Sequence, residues 1–312
     1  MRGALLALKI LIAGGLVGWL VSSGRLDLSV LAGAQLTSYQ AIGLAAVLVN
    51  LVLSALRWHW LLRALGGRAS LGQVTRWTWI GEFFSMISPG IGGGELARGY
   101  YAFRNSPEGR LAALSTVLVD RVIGLWAMLL LALCSLAALF LGNGIQSPVI
   151  ALVGAATVGG FTAITAGTAM LLYVPARNIG LSLLPDKIAA PVRTLCDSYQ
   201  SQKTVLIRCA ALSIVSNATL MLSFFIAGII LDLPLTWQGV LLIVPVIFIA
   251  NFLPISPGGI GVGEVVSALL FAQFDVAGGA AVMVQVRLWL IAVQLAGGGV
   301  YLLHRDRGQA PA

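Results

Sequence analysis

The apolar residues of this chain come in runs of about 20, the length an α-helix needs to cross a hydrocarbon core about 30 Å thick. Short polar patches separate the runs. That pattern predicts a polytopic helical membrane protein. Composition agrees: 59% of the 312 residues are hydrophobic and 10% charged, against about 25% charged in an ordinary soluble domain. The intervals between runs are shorter than the 50 or more residues of a usual soluble domain, so function is expected within the membrane.

A formal charge of +8 in a soluble chain would raise the question of nucleic acid, but here the basic residues flank apolar runs on alternate sides, as the positive-inside rule expects. No nucleic-acid partner is expected. Three scattered cysteines (Cys134, Cys196, Cys209) and two isolated histidines (His59, His304) lack the spacing of a metal site or a disulfide framework, so no metal or cofactor is expected. The apolar start resembles a signal peptide, yet Lys9 interrupts it, and Gly14, Gly15 and Gly18 suit helix packing. It is read as a retained first span.

Six full spans are predicted, at about 5–21, 39–60, 111–141, 148–173, 204–231 and 279–303. Arg57, Arg63 and Arg68 close the second. Two further regions, 71–104 and 237–274, are apolar but broken by proline and glycine. The arms around Pro89 are too short to span, which favours a re-entrant hairpin there; 237–256 alone is long enough to cross, so the second region reads as a hairpin or as two crossings. The stretch 174–203 is read as a cytoplasmic amphipathic segment broken by Pro185 and Pro191. Basic loops inside put both termini in the cytoplasm.

The broken regions share an order: Ser88-Pro89-Gly90-Ile91-Gly92-Gly93-Gly94-Glu95 and Ser256-Pro257-Gly258-Gly259-Ile260-Gly261-Val262-Gly263-Glu264. The spans beside them pair at similar offsets, and loop charge has the two motifs entered from opposite sides. Two inverted-topology repeats are therefore expected, 1–146 and 147–312. In transporters, such repeats bring broken helices to a binding site near the midplane. Ser-Pro stops one half-helix, the glycines turn the chain, and the next half-helix begins with free amides that attract anions. Neither motif fits a nucleotide-binding loop.

Ionisable groups at membrane depth are costly unless paired or wet. Glu82, Glu95, Arg98, Asp120, Arg121, Glu264 and Arg287 fall in this class, with Asp120 and Arg121, near a span end, reading equally well as interface residues. Each motif glutamate is followed by an arginine in the next span, Glu95 by Arg121 and Glu264 by Arg287. These are either structural salt bridges or a phosphate-binding set in which arginine and half-helix amides hold a lipid phosphate while glutamate balances charge. Asn217, Gln285 and Gln294 read as interhelical hydrogen-bonding glue.

At this point the sequence resembles the lysylphosphatidylglycerol synthase transmembrane-region family of flippase-like membrane proteins. The resemblance rests on Gly94-Glu95-Leu96-Ala97-Arg98, on Asp120-Arg121, on Leu253-Pro254-Ile255-Ser256-Pro257-Gly258-Gly259-Ile260-Gly261-Val262-Gly263-Glu264, and on Arg287. It implies lipid movement across a membrane, since the best-known members present aminoacylated phosphatidylglycerol to the outer leaflet. Those members add a cytosolic aminoacyl-transferase domain that these residues lack, so no enzymatic activity is expected. Where the family often carries a basic residue before each motif glutamate, this chain has glycine.

The expectation is an all-α polytopic protein of the bacterial inner membrane. It would pass an anionic or polyprenyl-phosphate-type lipid headgroup between leaflets through a central polar cavity. The expected substrate-binding residues are Ser88, Gly94, Glu95, Arg98, Asp120, Arg121, Ser256, Gly263, Glu264 and Arg287. The alternative is a non-transporting partner of a glycosyltransferase or lipid-modifying enzyme, and Gly297 to Gly299 suit helix packing within one chain or in a homodimer.

Overall fold

Lipid offers the backbone no hydrogen-bond partners, so an apolar chain at membrane depth closes its own amide bonds as helix. The computed structural model describes residues 38–88, 92–106, 109–142, 147–173, 186–253 and 255–305, with Gly18, Val21 and Ser22. Among these there is no strand. Five helices are long and apolar enough to cross a membrane: α1 (Ser38–Ala64), α4 (Arg110–Leu141), α5 (Pro148–Leu172), α7 (Lys203–Ile230) and α10 (Gly279–Arg305). They occupy the positions of the last five predicted spans. The predicted first span lies, apart from those three residues, outside the described residues.

The broken regions form pairs of shorter helices. Helix α2 (Leu71–Ile87) opens with a reciprocal cap: Ser70 Oγ accepts from the Gln73 amide, and Gln73 Oε1 accepts from the Ser70 amide. It ends at Ser88, whose extended backbone (φ −89°, ψ 152°) is the conformation a following proline imposes. Helix α3 (Gly92–Arg104) then runs back along it. Gly94 makes this close return possible, because a Cβ there would meet Ser85 Oγ and lie 2.7 Å from the Gly81 carbonyl. In the second region α8 (Trp237–Phe252) ends at Leu253, again extended before a proline, and α9 (Val262–Phe271) follows, with a 3-10 turn at Ala272–Phe274. At 16 residues α8 is about 24 Å long, short of a crossing. Pro89, Gly90, Ile91 and Pro254 lie outside the described residues.

Helix α6 (Asp186–Gln200) corrects one expectation. The segment is not broken at Pro191 but continues through it as helix, with the Lys187 carbonyl left without its amide donor. Its end is tied down by Gln200 Nε2, which donates to the Leu172 carbonyl, and by Tyr199, hydrogen-bonded to Ser115 at 3.1 Å. Burial pushes the Tyr199 phenol up to about 12.

The helices are held by what lipid allows, close packing and interhelical hydrogen bonds. Helices α1 and α7 join through Asn50 and Ser54 on Ser216. Asn217 Nδ2 donates to the Gly124 carbonyl at 2.8 Å, and Gln285 exchanges hydrogen bonds with Gln40. Gly297 and Gly298 seat α10 on Trp79 and Phe83 of α2, so their packing is within the chain. Contacts run crosswise: α2 packs on α10 and α8 on α4, while α3 packs on α4 and α9 on α10. The two turns meet where the Gly258 amide donates to the Ser88 carbonyl at 3.2 Å.

Candidate functional site

The expected charged residues form two clusters with different characters. In the first, Asp120 of α4 is fully buried between two arginines: Arg57 Nε reaches Oδ1 at 2.6 Å and Arg98 Nη2 reaches Oδ2 at 2.9 Å. Arg57 also donates to Ser213 Oγ at 2.9 Å. The Arg98 guanidinium lies 4.3 Å from the centre of the Trp58 ring, whose indole N–H donates to Thr116. Asp120 thus joins α1, α3 and α4 through paired charge, and α7 is tied in through Ser213 on Arg57. Removing Asp120 would leave both arginines buried without a counter-charge.

Arg57 corrects the sequence reading, which placed it among the positive residues closing the second span. It lies a turn and a half deeper than Arg63 and is only 4% exposed. Its distance from the helix end was the available signal. Its partner, 63 residues away, was not visible in the sequence.

One turn from this triad, Glu95 and Arg121 form a second ion pair, and here the surroundings open. The Arg121 side chain is 37% exposed and that of Glu95 19%. Arg121 Nε and Glu95 Oε2, on the buried side of the pair, have no hydrogen-bond partner among the described residues. The pair sits in the wall of a cleft of about 560 Å³ between α3, α4 and the end of α8. The rest of the wall is apolar or aromatic, including Leu96, Tyr100, Phe103, Leu118 and Phe252. Leu96 and Leu118 are 77% and 67% exposed, so the cleft opens sideways between helices. Its volume falls within the range of small-molecule sites, about 300–1,000 Å³.

Glu264 and Arg287 do not line this cleft. Arg287 of α10 pairs with Glu264 and donates to the carbonyls of Gly258 and Gly259 at 3.0 and 3.1 Å. The other Glu264 oxygen accepts the Gly261 amide at 2.8 Å, so the carboxylate caps α9. The turn requires glycine: φ is +57° at Gly258 and +72° at Gly259, in the region L side chains avoid. All three guanidinium nitrogens of Arg287 are engaged. Asn251 Oδ1 lies against Gly259 and Gly263, and it and Ser256 Oγ are buried with no hydrogen-bond partner among the described residues.

The structure therefore brings Gly94, Glu95, Arg98, Asp120 and Arg121 into one neighbourhood, and Ser256, Gly263, Glu264 and Arg287 into another. Ser88 stands between them through its contact with Gly258. Among the described residues no three His, Cys, Asp or Glu side chains come together in a way that would hold a metal ion.

No solved structure matches the chain. A UPF0104 membrane protein of Methanocaldococcus jannaschii is 36% identical over 78 residues, covering 25% of this chain and 23% of that protein. The chain thus aligns with about a quarter of that relative's length. The family model described as the lysylphosphatidylglycerol synthase TM region matches residues 6–298. On a match of that extent, the chain belongs to the lysylphosphatidylglycerol synthase transmembrane-region family.

Proposed function

We propose that this protein moves a phosphate-containing lipid headgroup between leaflets, and that the lipid engages the cleft at Arg121 and Glu95. The observation that carries the reading is a partly exposed ion pair in the wall of a laterally open, apolar cleft. At membrane depth such a pair is costly unless something polar visits it, and a lipid is the amphiphile that arrives sideways. Arg121 lies 11 residues into α4, about 16 Å along its axis. The cleft extends from there toward Phe103 and Leu114, on the side of the α3–α4 connection. With basic loops inside, that side is cytoplasmic and both termini lie there.

The crosswise contacts support the reading of two inverted repeats. If α1, α2, α3 and α4 correspond to α7, α8, α9 and α10, then α2 on α10 is the counterpart of α8 on α4, and α3 on α4 that of α9 on α10. The repeats have divided the work. Arg287 is committed to its own turn, whereas Arg121 lines the cleft.

The test is leaflet exchange of headgroup-labelled lipids in proteoliposomes, using an anionic phospholipid and a polyprenyl phosphate. Arg121→Ala should reduce exchange at least tenfold at equal reconstitution. Exchange unchanged by Arg121→Ala would sink the proposal.

A further inference from the structure

Six charged side chains from four helices form one electrostatic cluster, Arg57 of α1, Glu82 of α2, Glu95 and Arg98 of α3, Asp120 and Arg121 of α4, and two of them, Glu95 and Arg121, line the cleft. Three are basic and three acidic. Two of the carboxylates are committed, Asp120 to Arg57 and Arg98 and Glu95 to Arg121. Glu82 is different. It stands beside Gly81, which packs against the Arg98 stem, and it feels Arg121, Glu95 and Arg98 electrostatically. Yet among the described residues it has neither a salt bridge nor a hydrogen bond.

The other helices packed on α2 bring it no spare cation. Helix α1 contributes Arg57, already on Asp120; α3 contributes Arg98, likewise engaged, and Glu95. Helix α10 presents Gly297, Gly298 and Tyr301, the last stacked on Phe83 and Phe84. His59 of α1 feels Arg63 electrostatically.

With all six groups ionised the cluster is neutral. An anionic phosphate arriving at Arg121 adds a negative charge in a region where water is scarce, and an uncompensated charge is strongly disfavoured there. The carboxylate without a cation is the one that can release its charge by taking a proton from solution.

We propose that Glu82 is a proton-binding site coupled to lipid binding: it holds a proton while an anionic lipid phosphate occupies Arg121, and loses it when the lipid leaves. The inference rests on the lipid reading of the cleft given above. Protonation converts the carboxylate to a carboxylic acid and restores the cluster's neutrality with the anion present. A proton gradient would then give lipid movement a direction.

The test uses the full chain in detergent micelles with dioctanoyl phosphatidylglycerol, a probe whose single negative charge is constant across the range. The dissociation constant is measured from about pH 5 to about pH 9, a range in which a shifted carboxylate or a histidine titrates. Linkage sets the sign: the lipid-bound form holds the extra proton, so binding weakens as pH rises, by up to about tenfold per pH unit where Glu82 is ionised in the free protein. Glu82→Gln should bind with a dissociation constant constant within about twofold, and Glu82→Asp should restore the slope. Matching unfolding midpoints will show that the variants are folded. Arg121-dependent binding that is flat with pH in the wild type overturns the proton proposal and leaves the lipid reading standing. A slope that persists in Glu82→Gln overturns it too, in favour of another group such as His59. Wild-type binding no tighter than that of Arg121→Ala at every pH defeats the lipid reading, and this inference with it.

Discussion

The amide of Gly258 donates a hydrogen bond to the carbonyl of Ser88 at 3.2 Å, so the turn of one broken region is held by the turn of the other across 170 residues of chain. Arg287 holds Gly258 from the opposite side through its carbonyl. The second motif thereby sets where the first hairpin ends. Gly258→Ala should cost about 1–2 kcal/mol for the left-handed backbone alone. The added Cβ would also stand 3.3 Å from the Met86 carbonyl. A lowered unfolding midpoint in detergent, with exchange reduced in the folded fraction, is the expected result.

Asp120→Asn should be among the most destabilising single changes. It leaves Arg57 and Arg98 side by side in a fully buried site, and removing one partner of a buried ion pair typically costs about 3–5 kcal/mol. Loss of expression or a large fall in unfolding midpoint is expected. Asp120→Glu keeps the charge and should be the milder variant.

Arg121 and Arg287 should separate stability from activity. Arg121→Ala removes a partly exposed pair and should lower the unfolding midpoint less than Arg287→Ala does, while exchange falls. Arg287→Ala strips the cation from Glu264 and from two turn carbonyls, and should lower the midpoint clearly. Arg287→Lys should rescue it only in part, because an ammonium cannot reproduce the planar fork that spans Glu264 and both carbonyls. Equal effects of the two alanine variants on stability would contradict the division of roles.

Leu118→Trp tests the cleft by filling it. Leu118 is 67% exposed on the cleft wall, so a larger side chain meets lipid rather than core, and stability should change by less than about 0.5 kcal/mol, as at an ordinary surface position. Exchange should nevertheless drop severalfold. A variant as active as the wild type would place the lipid path elsewhere.

Gly94→Ala tests the return of the first hairpin. The added methyl would fall on Ser85 Oγ and within 2.7 Å of the Gly81 carbonyl. Backbone cannot rotate away as a side chain can, so α2 and α3 must separate, at a cost typical of overpacking, about 1–3 kcal/mol. Adding Ser85→Ala should recover little, since the Gly81 carbonyl remains.

Much of this fold is local information, and so legible along the chain. Runs of apolar residues define the long helices because membrane thickness sets their length. Ser88 and Leu253 end helices because a proline follows each, and Glu95 and Glu264 pair with the arginine of the next span because that span folds directly back on the half-helix. What the sequence could not state was which helices stand beside which. Arg57 read as a flanking positive charge; only the packing of α1 against α4 and α7 turns it into a partner of Asp120 and Ser213. The two Glu–Arg pairs read alike for the same reason. Exposure, and hence the difference between a latch at Arg287 and an open pair at Arg121, is decided by neighbours far away in sequence, because a charge in lipid is stabilised by whatever the tertiary structure places within a few ångströms of it.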